Sequence, residues 1–168
     1  MITQILNLDR RKKNTLTMRN LRIVQATSND VHVIVPLFDS YRRFYGQDPN
    51  LAGAQRFLKE RLDGGESVVF LAFEAGRAVC FAQLYPSFSS VQMKRLWILN
   101  DLFVTPQARA HGVGAALLEE CKQLAKKTDA KGLVLETRKD NQEAQRLYEK
   151  FGWKRDETFI TYYLDVLN

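Results

Sequence analysis

Apolar residues follow a helical spacing in some segments of the chain and a strand spacing in others. Residues 21–25 alternate between apolar and polar side chains, which predicts a first strand. The polar cluster at 27–30 is typical of a helix start, and the apolar residues that follow at helical spacing up to Tyr41 predict the first helix. That helix ends near the turn at 46–49, and a second is predicted over 51–62. The first third therefore predicts one strand followed by two helices.

The middle of the chain has the patterns of strands. Residues 67–74 and 78–85 predict two strands joined by a tight hairpin at an Ala-Gly pair. After a predicted loop at 86–90, residues 91–104 predict a long strand that Pro106 ends. Its middle is apolar at consecutive positions, which is typical of a central strand covered on both faces.

The last third returns to alternating helices and strands. Helices are predicted over 113–127 and 142–151, with a buried strand at 132–136 between them. Residues 153–155 and 158–164 predict two final strands. The whole pattern predicts an α/β fold: a single domain with a mixed, mostly antiparallel sheet and helices on both faces.

Length and composition favour one domain, residues 20–168, behind a basic N-terminal extension at 1–19. The chain has 168 residues, of which 45% are hydrophobic, enough for a core. No apolar run approaches the roughly 18 residues that cross a bilayer, and the N-terminus lacks the arrangement of a signal peptide. We therefore expect a cytoplasmic protein without a membrane partner.

The net charge of +6 does not indicate a nucleic-acid binder, because most basic residues are scattered. Adjacent basic residues occur, for example, at 10–13, 42–43 and 94–95. Cys80 and Cys121 fall on a predicted strand and on the apolar face of a predicted helix, as expected of reduced, buried thiols. The two histidines have no metal-ligand spacing, so no metal site is predicted.

A strand, a short loop with two glycines and a helix occur in succession between Leu99 and Leu118. The loop, residues 109–114, reads Arg-Ala-His-Gly-Val-Gly. Glycines before a helix let the backbone approach a ligand, and the free N–H groups of the first turn favour a phosphate. Neither a dinucleotide fingerprint nor a P-loop fits this spacing. The loop therefore predicts a site for a phosphorylated cofactor of another kind.

The Arg-x-x-Gly-x-Gly loop after a Leu-Phe-Val strand resembles the pyrophosphate loop of the GNAT acetyltransferase superfamily. Residues 141–153, which include Leu147-Tyr148 and Phe151-Gly152, resemble the family's other signature. The resemblance implies the GNAT fold, acetyl-CoA as cofactor, and transfer of its acetyl group to a primary amine of a small molecule by direct attack. It also implies a homodimer. The closest likeness is to the branch that includes diamine acetyltransferases and yeast histone/polyamine enzymes.

The resemblance assigns cofactor contacts to three segments. The strand supplies backbone that pairs with the pantetheine arm, the loop supplies main-chain donors for the pyrophosphate, and the last predicted helix supplies further contacts. The residues are Leu102, Phe103, Val104, Arg109, Ala110, His111, Gly112, Val113, Gly114, Ala115, Asn141, Ala144 and Tyr148. Asn141 is also a predicted helix cap.

Three residues are candidates for catalysis: Asn100, Asp101 and Tyr148. Asn100 and Asp101 interrupt the most apolar strand, and buried polar groups must be paired. Either they form a hydrogen-bonded pair that braces a neighbouring element, or one of them faces the acceptor amine and helps to remove its proton. Related polyamine enzymes often have Glu-Asp here, so Asn100 removes a direct base at that position. The resemblance implies that Tyr148, otherwise typical of a core stripe, protonates the departing thiolate.

The sequence alone does not identify the acceptor amine. Segments 41–46 and 85–95 are expected to wall its pocket, and they are aromatic and basic. A polyamine and an amino-acid-like or antibiotic-like amine both suit them. Three alternatives to a small-molecule enzyme also remain: a protein or peptide lysine acetyltransferase, a non-catalytic acyl-CoA-binding domain, and a nucleic-acid binder that acts through the basic N-terminal segment.

Overall fold

The computed structural model describes residues 21–166 of the chain. The predicted basic extension, residues 1–19, lies outside the described residues. The chain divides into two compact units, one that ends at Glu136 and one that begins at Thr137. Among the described residues, the larger unit contains all the strands and three of the four α-helices.

The sheet has five strands in the order β1-β2-β3-β4-β5. The strands are Leu21–Gln25 (β1), Val68–Glu74 (β2), Arg77–Ser89 (β3), Lys94–Val104 (β4) and Gly132–Val134 (β5). Neighbouring strands are antiparallel except β4 and β5, which are parallel. The predicted mixed, mostly antiparallel sheet is confirmed.

Four α-helices accompany these strands. They are Val31–Phe44 (α1), Leu51–Asp63 (α2), Val113–Lys127 (α3) and Gln142–Lys150 (α4), and short 3-10 turns lie at Ser28–Asp30 and Pro106–Ala108. The helices α2, α3 and α4 end within one residue of their predicted positions, whereas α1 ends at Phe44, two residues before the predicted turn at 46–49. The polar cluster predicted to start α1 forms the 3-10 turn that leads into it, and a capping box begins this turn: Thr27 and Asp30 satisfy each other's free backbone N–H groups.

Helices cover both faces of the sheet, as predicted. On one face, Val69, Leu71, Phe81 and Phe103 pack with the apolar sides of α1 and α2 in one buried cluster. The alternate strand residues, such as Cys80, are also buried, because α3 packs against β2, β3 and β4. The indole N–H of Trp97 donates a 2.9 Å hydrogen bond to Thr128 at the end of α3. Burial on both faces explains the apolar run in β4.

The structure corrects the predicted strand boundaries. Residues predicted as a loop from Pro86 onwards belong to β3, which pairs with β4 as far as Ser89 opposite Lys94. Pro86 is tolerated because β2 pairs with β3 only up to Leu84, so this end of β3 is an edge. The predicted strand at 91–104 accordingly begins at Lys94.

Two further strand predictions are wrong in extent or in kind. The strand predicted over 132–136 ends at Val134, because β4 offers it only the short parallel ladder from Leu96 to Ile98. Residues 153–155 and 158–164 form no strand in the described part of the chain. Alternating apolar residues indicate that a segment can form a strand. The strand forms only where a neighbouring strand pairs with its backbone.

Candidate active site

The two adjacent polar residues of β4 lie at a β-bulge. Gln83 is paired with Asp101 and Leu84 with Leu99, so Asn100 is an extra residue opposite the irregularity. Adjacent side chains of a regular strand point to opposite faces, whereas a bulge interrupts this alternation. Here the Nδ2 of Asn100 donates a 3.1 Å hydrogen bond to Oδ1 of Asp101.

The carboxyl group of Asp101 is held inside the protein while Asn100 is exposed. Asp101 is 4% exposed and accepts a hydrogen bond from the Tyr41 hydroxyl of α1. Burial raises the pKa of Asp101 above its ordinary 3.8, against the lowering effect of the hydrogen bonds from Tyr41 and Asn100. Asn100 and Asp101 therefore form the hydrogen-bonded pair that was one of the two predicted alternatives. Because burial raises its pKa, the Asp101 carboxyl group has an increased affinity for a proton.

Aromatic rings surround this carboxyl group on the α1 side of the sheet. The Tyr41 ring lies 5.9 Å from Phe81 and 6.4 Å from Phe103, both edge-on. Burial raises the pKa of Tyr85 to about 12, and the negative charge of Asp101 contributes in the same direction. The Tyr85 hydroxyl therefore stays protonated at neutral pH. Segments 41–46 and 85–95, predicted to wall the pocket, thus contribute one tyrosine each beside Asp101.

One edge of β4 is open beyond its ladder with β5. Because β5 pairs only with Leu96–Ile98, no strand of the described part pairs with Leu99–Val104 on the side away from β3. Phe103 is buried in the core, and Leu102 and Val104 are partly buried. The predicted cofactor strand therefore presents an edge with which no strand of the described residues pairs, together with anchored side chains.

The glycine loop follows this edge directly and turns through two left-handed residues. Ala110 has φ +63 and Gly112 has φ +83, and a Cβ built on Gly112 would meet nothing within 4 Å. Gly112 is the N-cap of α3, with no side chain capping the helix and no acidic residue in its first turn. Free N–H groups and the positive end of the helix dipole thus face an open space, which suits an anion.

Two side chains of the loop are tied to neighbouring strands. The Nε of Arg109 donates a 3.3 Å hydrogen bond to the carbonyl of Val104, which joins the loop to the end of β4. The Nδ1 of His111 lies 3.7 Å from the Glu74 carboxylate at the end of β2. These contacts fix both sides of the turn, while Val113, Gly114 and Ala115 begin α3 behind it.

The smaller unit contains the second motif. Asn141 caps α4 as predicted, since its Oδ1 accepts a 3.3 Å hydrogen bond from the backbone N–H of Ala144. Tyr148 is partly buried, and its ring centroid lies 5.9 Å from that of Trp153. Gly152 has φ +83 just beyond the helix, the conformation expected of its predicted C-terminal glycine.

Sequence reasoning missed Gln83, which lies opposite Asp101. Its signal is a polar residue within the apolar run of β3, from Val79 to Leu84. The sequence also did not reveal that Tyr41 hydrogen-bonds to Asp101, because the two residues lie on elements far apart along the chain.

Among the residues that the structure describes, no three His, Cys, Asp or Glu side chains group as metal ligands. Within residues 21–166 no helix is long and apolar enough to cross a bilayer. Cys80 and Cys121 are both buried and reduced. Burial raises the pKa of both thiols, that of Cys121 to about 12, so neither is a thiolate at neutral pH.

Comparisons of sequence and fold find similar proteins that are named acetyltransferases. The chain is 49% identical over 146 residues to the uncharacterized N-acetyltransferase YhfO of Bacillus subtilis, which covers 87% of this chain and 98% of that protein. The crystal structure of a probable acetyltransferase, 42% identical, matches with a TM-score of 0.83 over 88% of this chain and 99% of that one. A predicted acetyltransferase of Clostridium acetobutylicum solved with acetyl-CoA shares the fold, with a TM-score of 0.70 and 16% identity over 85% of this chain and 96% of that one.

A model of the Acetyltransferase (GNAT) family matches residues 34–153, which include β4, the glycine loop, α3 and α4. The match covers most of the chain and both motifs. The chain therefore belongs to the Acetyltransferase (GNAT) family and is an acetyltransferase.

Proposed function

We propose that this enzyme transfers the acetyl group of acetyl-CoA to the primary amine of a small molecule, by direct attack. One observation carries the proposal: the buried carboxyl group of Asp101 lies in a bulged strand whose open edge leads into the glycine loop. A proton acceptor and an anion site are thus joined by one strand, as a reaction between an amine and a CoA thioester requires.

The residues of the loop and strand fit acetyl-CoA. The main chain from Ala110 to Ala115 offers N–H donors and the end of a helix dipole to the pyrophosphate, in the space left open beside Gly112. The free edge of Leu102–Val104 can pair with the amide groups of the pantetheine arm, in the way an added strand pairs with a sheet. The family resemblance adds Asn141, Ala144 and Tyr148 of α4 to this set.

Asp101 receives the acceptor amine in this proposal. The amine arrives protonated, since a lysine-like group has a pKa near ~10, and it must lose a proton before it can attack. Asp101 pairs with the ammonium and accepts that proton directly or through water, while the Tyr41 ring offers a cation–π contact. Asn100 donates a hydrogen bond to the same carboxyl group and orients it.

When bound, acetyl-CoA supplies an acetyl group that passes to the amine nitrogen as the carbon–sulfur bond breaks. Tyr148 donates its phenolic proton to the sulfur that leaves. Neither cysteine takes part, because both thiols are buried and protonated at neutral pH. No acetyl-cysteine intermediate therefore forms in this proposal.

A screen of acceptors for release of free CoA thiol tests this function. The panel contains polyamines, amino acids, amino alcohols, aminoglycosides and a lysine peptide, each with acetyl-CoA. We expect at least one small amine to give one N-acetyl product per thiol, and Asp101→Asn to raise its KM or to shift the pH profile upward. Turnover of the peptide alone would indicate a protein acetyltransferase. Tight CoA binding without turnover of any acceptor would indicate a non-catalytic acyl-CoA-binding domain.

A further inference from the structure

Three buried side-chain atoms in the described part of the chain have no hydrogen-bond partner: Oγ of Ser67 and both amide atoms, Nε2 and Oε1, of Gln83. Ser67 is 7% exposed and Gln83 is 0% exposed, so a ligand reaches the Gln83 amide only when a neighbouring side chain moves aside. Buried polar atoms are nearly always paired in folded proteins, and those that are not are often completed by a bound molecule. Both residues therefore indicate a missing polar partner.

The unpaired atoms belong to the same face of the sheet as Asp101. Gln83 is paired in register with Asp101 on one side and with Val69 on the other. Ser67 lies one residue before β2 and two before Val69, so we infer that it continues the alternation of the strand and shares the face of Val69. This is the face of α1, because Val69 packs in the α1–α2 cluster and Tyr41 of α1 hydrogen-bonds to Asp101. Ser67, Gln83 and Asp101 are called the polar patch below.

The spacing of the polar patch matches a small ligand. Side chains directly opposite each other in an antiparallel pair lie about 5 Å apart, and diagonal neighbours about 7–8 Å apart. A molecule whose amine contacts Asp101 therefore brings its next polar group within reach of Gln83.

The hydrogen-bonding needs of the unpaired Gln83 atoms indicate which polar group of the ligand contacts them. The Gln83 amide needs both an acceptor for Nε2 and a donor for Oε1, and a hydroxyl group supplies both. A carboxylate has no proton to donate and is repelled by ionised Asp101, and an alkyl chain leaves every unpaired atom unsatisfied. We infer that the polar patch binds a neutral hydroxyl group of the acceptor, so that the substrate is a hydroxylated primary amine. This inference rests on the proposed function.

Two amines with one carbon skeleton test it: serinol, which has two hydroxyl groups, and isopropylamine, which has none. The ratio of their kcat/KM values is measured for the wild type and for Gln83→Met, which keeps the volume of the side chain and removes its hydrogen bonds. Comparing ratios between variants cancels the intrinsic reactivity of each amine. Leu84→Met, at the next residue and on the opposite face, is the matched control.

We expect the preference for serinol to fall about tenfold in Gln83→Met and to stay unchanged in Leu84→Met. The Tm of Gln83→Met should be equal to or above that of the wild type, because an unpaired buried amide is replaced by an apolar chain. A lower Tm with an unchanged ratio would overturn the inference, since Gln83 would then be completed by buried water as part of the fold. If Gln83→Met does not fold, Gln83→Leu replaces it, with the same loss of the preference expected and an unchanged ratio counting against the patch.

Failure of the proposed function gives a different result from failure of this inference. If neither amine is acetylated, calorimetry of serinol and isopropylamine with the CoA-loaded wild type measures the patch by itself. Tighter binding of serinol supports the patch without the reaction, and equal binding overturns it.

Discussion

Asn100 and Asp101 are consecutive residues of one strand, yet their side chains are hydrogen-bonded to each other across 3.1 Å. The β-bulge opposite Gln83 and Leu84 makes this possible, because it adds one residue to β4 and interrupts the alternation of side chains. The bulge thus gives a buried carboxyl group an exposed neighbour that can orient it.

The charge of Asp101 should lower the stability of the fold at neutral pH. Its pKa is raised by burial, so its favourable contribution to folding is complete below about pH 3.8 and is lost as the pH rises through the higher folded-state value. Asp101→Asn is similar in shape and never ionises. We expect this variant to be more stable than the wild type at pH 7, with a gain that shrinks towards acidic pH. Urea unfolding at several pH values measures it, and a gain independent of pH would contradict the burial of a charge.

The Tyr41 hydroxyl should set the pH at which Asp101 accepts a proton. Tyr41→Phe keeps the ring packed against Phe81 and Phe103 and removes a hydrogen bond that favours the carboxylate. We expect the acidic limb of the kcat/KM profile to move to higher pH, with activity on that limb reduced about tenfold. Tyr45→Phe is the control, because its ring contacts Tyr41 at 5.0 Å on the exposed side. If the two variants have the same pH profile of kcat/KM, the Tyr41 hydroxyl does not influence the proton transfer to Asp101.

The backbone of Gly112 should govern CoA affinity. Gly112→Ala places a side chain at φ +83, and Gly76→Ala, in the β2–β3 turn, places one at φ +78 with equally open surroundings. Both substitutions should destabilise the fold by about 1 kcal/mol, the cost of a left-handed residue with a Cβ. Only Gly112→Ala should weaken CoA binding, by tenfold or more in calorimetry. Equal affinity of the two variants for CoA would contradict the assignment of the pyrophosphate site to this loop. Gly114 is less suitable for the test because it is buried in α3.

Tyr148 should act on the leaving group and not on cofactor binding. Tyr148→Phe retains the ring that packs on Trp153 and removes the proton. We expect kcat to fall by roughly 10²-fold, the lower range for a general acid, while CoA affinity hardly changes. Tyr163→Phe, at an exposed position of the same unit, should leave kcat unchanged. Wild-type kcat in Tyr148→Phe, under conditions where chemistry limits turnover, would return this residue to a packing role.

Much of this protein was readable from the sequence because it depends on local periodicity. Helical spacing located all four helices, and the caps at Thr27 and Asn141 are side chains that act within three residues of their own position. The glycine loop was readable for the same reason, since the free N–H groups at the start of a helix follow from the chain order of strand, glycine and helix. The catalytic and cofactor roles given to these residues remain proposals.

What depends on pairing between distant segments was decided only by the tertiary structure. Apolar alternation did not show that β3 continues through Pro86, that β5 ends at Val134, or that 158–164 forms no strand, because a strand boundary is set by its partner. The bulge at Asn100 is likewise a property of two strands in register. Only the fold brings Tyr41 and Gln83 to Asp101, since the residues lie on α1, β3 and β4 and meet when the sheet and helix bury their apolar faces together.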